Sequence, residues 1–143
     1  MTLADTNVWL ALAIRQHEHH ETVSAWFAGR QVQEVAFCRP TQNSLLRLVT
    51  TRAVLDPYEI PPLSNAEAWR LMDGLLASPM ITFVNEPPGL DGVWRDLSSL
   101  QSASPKVWMD AYIAAFAIAS GCRLASTDRA FERFHDLDFE FLG

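Results

Sequence analysis

Three aspartates carry the chemistry that this sequence can offer. Asp5 closes the apolar start Leu3-Ala4-Asp5, and Asp110 stands in the first turns of the small-residue stretch Asp110-Ala111-Tyr112-Ile113-Ala114-Ala115-Phe116-Ala117-Ile118-Ala119. Asp128 ends the short apolar run that follows the Gly121 stop, Cys122-Arg123-Leu124-Ala125-Ser126-Thr127-Asp128. Carboxylates are hard oxygen donors. Mg²⁺ or Mn²⁺ takes oxygen ligands, keeps several waters, and is held by one or two carboxylates together with substrate phosphate. Each acid also has a local explanation. Asp5 suits a helix cap, Asp128 the turn Asp128-Arg129-Ala130-Phe131, and Asp110 the positive end of a helix dipole. A lone aspartate is usually such a cap; one cation site accounts for all three with a single geometry.

The elements that must position these acids alternate between strand and helix. Thr2-Leu3-Ala4-Asp5 reads as a buried first strand. A helix then opens through Val8-Trp9-Leu10-Ala11-Leu12-Ala13-Ile14, with Thr6 or Asn7 as its N-cap. A second helix is expected over 18–28, stopped by Gly29, and a strand over 34–38. Pro40 opens a helix through about Arg52, with Leu45, Leu46, Leu48 and Val49 at helical spacing. Residues 56–62, with Pro57, Pro61 and Pro62, read as a connecting loop. Ser64-Asn65-Ala66-Glu67 is a capping box that starts a helix to about Ala77. Met80-Ile81-Thr82-Phe83-Val84 is a strand closed by Asn85-Glu86-Pro87-Pro88-Gly89; a helix over about 91–100 follows, and Phe139-Glu140-Phe141-Leu142 is a short edge strand. This order predicts one α/β domain over 1–143 with a mainly parallel sheet. Ligands in such sheets bind beyond the carboxyl ends of the strands. Asp5 and Asp128 fall at two strand ends, and Asp110 at a helix start over the same edge.

The bulk properties set limits. The 143 residues are 49% hydrophobic and 20% charged, an ordinary globular composition that is far from disorder. The net charge of −6 excludes nonspecific coating of nucleic acid by a basic face. It leaves room for nucleic-acid chemistry in an acidic pocket whose sign a divalent cation reverses. Cys38 and Cys122 lie in apolar stretches and read as buried thiols of a reducing compartment. No apolar run is long enough to span a membrane and no signal core follows the N-terminus, so a cytoplasmic location is expected.

Three segments together carry a family resemblance: Asp5-Thr6-Asn7-Val8-Trp9-Leu10, Asp110-Ala111-Tyr112-Ile113-Ala114-Ala115, and Leu124-Ala125-Ser126-Thr127-Asp128-Arg129-Ala130-Phe131. In order and spacing, over essentially the whole chain, they resemble the PIN-domain nucleases, and more narrowly the VapC-type toxins of toxin–antitoxin pairs. The resemblance implies a PIN-like α/β/α sandwich with a central, mainly parallel sheet and Mg²⁺- or Mn²⁺-dependent endoribonuclease activity. It also implies an RNA substrate, a homodimer and a VapB-like antitoxin partner. Asp5, Asp110 and Asp128 match the first, third and fourth family acids, with Thr6, Asn7 and Thr127 as polar support beside them. The second acid is missing. Where the family has a Glu, this chain reads Thr41-Gln42-Asn43-Ser44-Leu45-Leu46-Arg47. A Thr-Glu-Asn alignment puts Gln42 at the Glu, the register favoured here; a count from Arg47 selects Ser44. Arg47 and Lys106 are candidate phosphate contacts. The loss of one charge also raises an alternative, a catalytically weakened PIN domain that acts by binding RNA or antitoxin.

Other features read as structural. His17-Glu18-His19-His20-Glu21 sits at a helix–helix turn and lacks the four-ligand pattern of a structural zinc site. The tryptophans Trp9, Trp26, Trp69, Trp94 and Trp108 recur at helical apolar positions and suit packing, with at most one free to stack on a base. Leu10, Ile14, Trp69 and Leu76 are the candidates for a partner-facing groove. A phosphatase is excluded by Asn7, which stands where its second Asp is needed, and a receiver domain by the absence of a Lys after a late strand.

Overall fold

The computed structural model describes residues 1–143. Five strands, β1 (Thr2–Ala4), β2 (Val35–Phe37), β3 (Ile81–Phe83), β4 (Arg123–Ser126) and β5 (Phe139–Phe141), form one sheet in the order β3-β2-β1-β4-β5. All four pairings are parallel, with Leu3 opposite both Ala36 and Leu124. The chain winds outward from β1 to β3 and then returns across β1 to lay down β4 and β5. The order therefore reverses between β1 and β4, and that is where an open parallel sheet leaves a crevice at its carboxyl edge.

Side-chain alternation along the strands divides the core into two layers. Ala4, Val35, Phe37 and Ala125 point to one face. There they meet α1 (Thr6–Ala13), α2 (His20–Ala28), α3 (Arg39–Val49), α4 (Arg52–Leu55) and α5 (Asn65–Leu76). Leu3, Ala36 and Leu124 point to the other, where α6 (Leu90–Ser98), α7 (Val107–Ser120) and the turn Arg129–Arg133 cover them. The result is the expected α/β/α sandwich, with a sheet that is entirely parallel. Trp9 anchors the first layer: fully buried, it stacks on Phe37 with ring centroids 3.6 Å apart, and its indole N–H donates to Ala4 O at 2.9 Å. Truncation of such a ring to Ala costs about 3–5 kcal/mol. In the second layer α7 presents Ala111, Ala114, Ala115 and Ala117, all fully buried, whose small side chains let the helix axis approach the sheet closely. Gly121 ends α7 with φ 63°, a left-handed cap that a side chain would strain.

Several expected boundaries move. The N-cap of α1 is Asp5, not Thr6 or Asn7, because its carboxylate reaches the Thr6 N–H. The helix expected from Glu18 begins at His20, and the helix from Pro40 stops at Val49. The one-turn helix α4 follows at Arg52–Leu55, and a 3₁₀ turn at Asp56–Tyr58 fills the start of the segment read as loop. Leu10 and Ile14 are buried core residues rather than parts of a partner groove, whereas Trp69 is exposed. The Ser64–Glu67 capping box is present, with both reciprocal bonds formed. Both cysteines are free and buried, and no helix is long and apolar enough to cross a membrane.

Candidate metal centre and substrate groove

The crevice between β1 and β4 is occupied by carboxylates. Asp5 leaves β1 while its own N–H still pairs with Ala125 O of β4 at 3.0 Å. Its side chain is 8% exposed; Oδ1 accepts from the Thr6 N–H at 2.7 Å and Oδ2 from the Ser126 hydroxyl at 2.9 Å. Burial pushes this carboxyl up to about 6. The two hydrogen bonds pull it back, and the charges of Asp110 and Asp128 push it further up.

Ser126, fully buried at the end of β4, is a residue that sequence reasoning missed. Its Oγ donates to Asp5 and accepts the Asp128 N–H at 3.0 Å, so one hydroxyl ties the two strand ends together. The available signal was a hydroxyl in an otherwise apolar strand, two residues before an acid. Asp128 is exposed and caps the following turn, its Oδ1 accepting the Ala130 N–H at 2.8 Å. Asp110 lies in the first turn of α7 and pairs with the Arg133 guanidinium from the turn after β4. Burial raises its carboxyl first; Arg133 opposes that shift and Asp128 adds to it. Arg133 is the second missed residue, since its partner lies 23 positions away in the chain.

The opposite wall is the start of α3, and it holds no carboxylate. Gln42 is 5% exposed, and its side-chain oxygen accepts from the Arg39 guanidinium. Ser44 is half-buried and Arg47 exposed; with Arg39, Asn43, Glu86 and Tyr112 they line a groove of about 650 Å³ between α3 and α7. The Tyr112 hydroxyl donates to Glu86 across the groove at 2.7 Å. Thr6, Asn7 and Thr127 are half-buried beside the acids, and their side chains make no hydrogen bond to them. Lys106 stands exposed just before α7, its side chain making no capping hydrogen bond. The histidine cluster is absorbed locally: His17 Nδ1 accepts the His19 N–H, and His20 Nδ1 bonds Ala11 O.

No three His, Cys, Asp or Glu side chains converge closely enough to enclose an ion by themselves. The donor set nonetheless fits Mg²⁺ or Mn²⁺. Those ions need one or two carboxylates and complete their shell with water, and here burial, with the neighbouring carboxylates adding to it, raises the proton affinity of Asp5 and Asp110 at one sheet edge. The repulsion between carboxylates is what a bound cation relieves.

A family model described as the PIN domain matches residues 2–137. The ribonuclease VapC41 of Mycobacterium tuberculosis is 46% identical over 145 aligned residues, which span 100% of this chain and 99% of that protein. Among solved structures, VapC20 of M. tuberculosis, a sarcin–ricin loop cleaving toxin, superposes with a TM-score of 0.67 at 15% identity, covering 96% of this chain and 98% of that one. The VapBC2 complex of Rickettsia felis bound to a promoter DNA fragment gives 0.66 at 13% identity, covering 99% and 98%.

Proposed function

The chain belongs to the PIN-domain family, and on that premise we infer that it is an endoribonuclease, the toxin of a VapB–VapC-type pair. The observation that carries this reading is the gathering of Asp5, Asp110 and Asp128 at one edge of the sheet, with Ser126 joining the two strand ends and Arg133 reaching Asp110. Asp5, Asp110 and Asp128 are the groups we assign to a Mg²⁺ or Mn²⁺ ion, directly or through water. The ion supplies Lewis acidity, making water nucleophilic near neutral pH and offsetting charge on the phosphoryl oxygens.

The protein's own groups do the positioning. Ser126 and the Thr6 N–H fix the Asp5 carboxylate in one orientation. Thr6, Asn7 and Thr127 stand beside the acids as polar support for ordered water. Arg133, paired with Asp110, would be a phosphate contact were that carboxylate to hold the ion. Arg39, Arg47 and Lys106 offer further phosphate contacts along the groove between α3 and α7. Gln42 takes the position of the second family acid and adds no charge, so cation affinity is low for the family. A toxin that cleaves cellular RNA would act in the cytoplasm, with a VapB-like antitoxin and a second copy of the chain as its protein partners.

Purified protein is expected to cleave RNA with Mn²⁺ and to stop in chelator. Asp5→Asn should abolish cleavage; equal cleavage by that variant would overturn the metal-nuclease reading. Gln42, uncharged and already satisfied by Arg39, favours one second reading, a weakened nuclease that acts by binding. RNA binding without cleavage at any Mn²⁺ concentration would select it.

A further inference from the structure

The first turn of α7 places two large apolar side chains in solvent immediately before Asp110: Trp108 is 57% exposed and Met109 53%. Both border a cavity of about 260 Å³ lined by Pro40, Trp94, Pro105, Trp108, Met109 and Tyr112. Its walls are fixed. The Trp94 indole N–H donates to Trp108 O at 3.0 Å, and the Trp94 ring meets Trp108 and Tyr112 edge-on at 6.2 and 5.3 Å. Pro40, Met109 and Tyr112 also border the 650 Å³ groove, so the two spaces adjoin. Arg39 and Arg47 line that groove, and the Arg39 guanidinium lies 4.6 Å from the Phe83 ring centroid, which holds it in place.

We propose that this cavity receives one unpaired nucleobase of the RNA strand, its neighbouring phosphates lying on Arg39 and Arg47. The proposal rests on the ribonuclease reading above and adds where the strand runs. Three features select RNA over a protein partner. An apolar, aromatic pocket of this size suits a flat ring, which every base presents. The arginines beside it match the charge that a nucleotide carries and an apolar peptide does not. Met109 and Asp110 are consecutive, so a base held here sets an adjoining phosphate near the carboxylates. Glu86, bonded to Tyr112, lies in the groove as a negative group; the strand must turn its base side to it and its phosphates to the arginines. Bases inside a duplex are stacked and cannot enter, so the pocket requires single-stranded RNA.

The test is a titration in EDTA of wild-type protein with a mixed-sequence, 2′-O-methylated RNA octamer, read by tryptophan fluorescence and by anisotropy of a labelled octamer. Wild type should bind with quenching. Trp108→Ala should raise Kd about 10-fold, in the range expected for loss of one base–aromatic stack, and Trp108→Phe should recover most of it. A duplex of the same sequence should bind with no dependence on residue 108. Unchanged octamer affinity in a folded Trp108→Ala protein would overturn the proposal, and a simultaneous fall in its mass by light scattering would assign the patch to a second copy of the chain. The two readings fail separately. Metal-dependent cleavage with a KM insensitive to Trp108→Ala removes the base pocket alone; Trp108-dependent binding without cleavage removes the nuclease alone.

Discussion

The two walls of the crevice follow opposite electrostatic plans. On the β1–β4 side three carboxylates gather at one edge, Asp110 paired with Arg133 and Asp5 held by Ser126 and the Thr6 N–H, and the most buried of them, Asp5, still has its proton affinity raised. On the α3 side Gln42 is neutral and already satisfied by Arg39, and Arg47 adds a second cation. On the proposed reading, cation binding falls chiefly to the first wall, and most phosphate contacts to the second. A site with a carboxylate on both walls would bind its ion without help from substrate. On the proposed reading, a neutral Gln42 would make ion binding depend more on the substrate phosphate.

The largest expected effect comes from the acid wall. Asp5→Asn should lower RNA cleavage by roughly 100-fold or more, the scale of a lost metal-site charge. The same substitution should stabilise the metal-free protein. The folded-state pKa of Asp5 is raised to about 6 from 3.8, so the native state holds this proton more tightly than the unfolded chain. Stability is then greatest below about pH 4, falls as the pH rises through 6, and stays low above it, a loss on the order of 3 kcal/mol for a group this buried. Thermal melts in EDTA from pH 4 to 8 should show that decline in wild type and a flatter curve in Asp5→Asn. A variant no more stable than wild type at pH 7.5 would mean that the acid wall is not under strain.

The opposite wall should respond in the opposite sense. Gln42→Glu restores a carboxylate beside the crevice and should tighten Mn²⁺ about 10-fold by calorimetry, the effect of about one charge contact at short range. No gain would mean that Arg39 absorbs the new charge, or that Ser44 is the position that counts; Ser44→Glu in the same assay separates those outcomes.

These contrasts also mark what was legible in the chain. Strand ends and helix starts are local patterns, so Asp5, Asp110 and Asp128 were readable as acids on one sheet edge, and the capping box at Ser64 as a helix start. The alternation of strands and helices supplied the parallel α/β class, and the family resemblance the sandwich. The partners of the acids were not readable. Ser126 and Asp5 are 121 residues apart and meet only because β1 and β4 pair. Arg133 was one charge among several in a polar turn until that turn folded back on α7. The four-residue α4 is too short to show a helical period, and Leu10 and Ile14 looked available for partners because α1 is apolar around its whole circumference. Local chemistry was visible; the hydrogen bonds that tune it depend on topology.

A smaller effect is expected at Arg133, the one cation on the acid wall. Arg133→Gln removes the guanidinium that competes for Asp110, so Mn²⁺ should bind about 3-fold more tightly, the scale of a half-exposed ion pair worth under 1 kcal/mol. Cleavage at saturating Mn²⁺ should fall, because the same guanidinium is assigned to the phosphate. Weaker Mn²⁺ binding would show that Arg133 holds Asp110 in its ligating position rather than blocking it.

The smallest effect at neutral pH, and the one most specific to the tie between the strands, belongs to Ser126. Its hydroxyl lowers the Asp5 pKa by donating to the ionised form, so Ser126→Ala should leave that pKa above its present value of about 6. The cation requires ionised Asp5 and competes with its proton. Binding should therefore weaken on the acid side, with the midpoint for Mn²⁺ binding moved up by about one unit, comparable to a single charge-assisted hydrogen bond. At pH 8 Asp5 is ionised in both proteins, and the affinities should differ little. The substitution also strands the Asp128 N–H, so a loss of about 1–2 kcal/mol in stability should accompany it. That loss would occur for any buried hydroxyl. The pH-dependent loss of Mn²⁺ affinity would not, and a uniform weakening from pH 6 to 8 would reduce Ser126 to a packing residue and separate the two strand-end acids again.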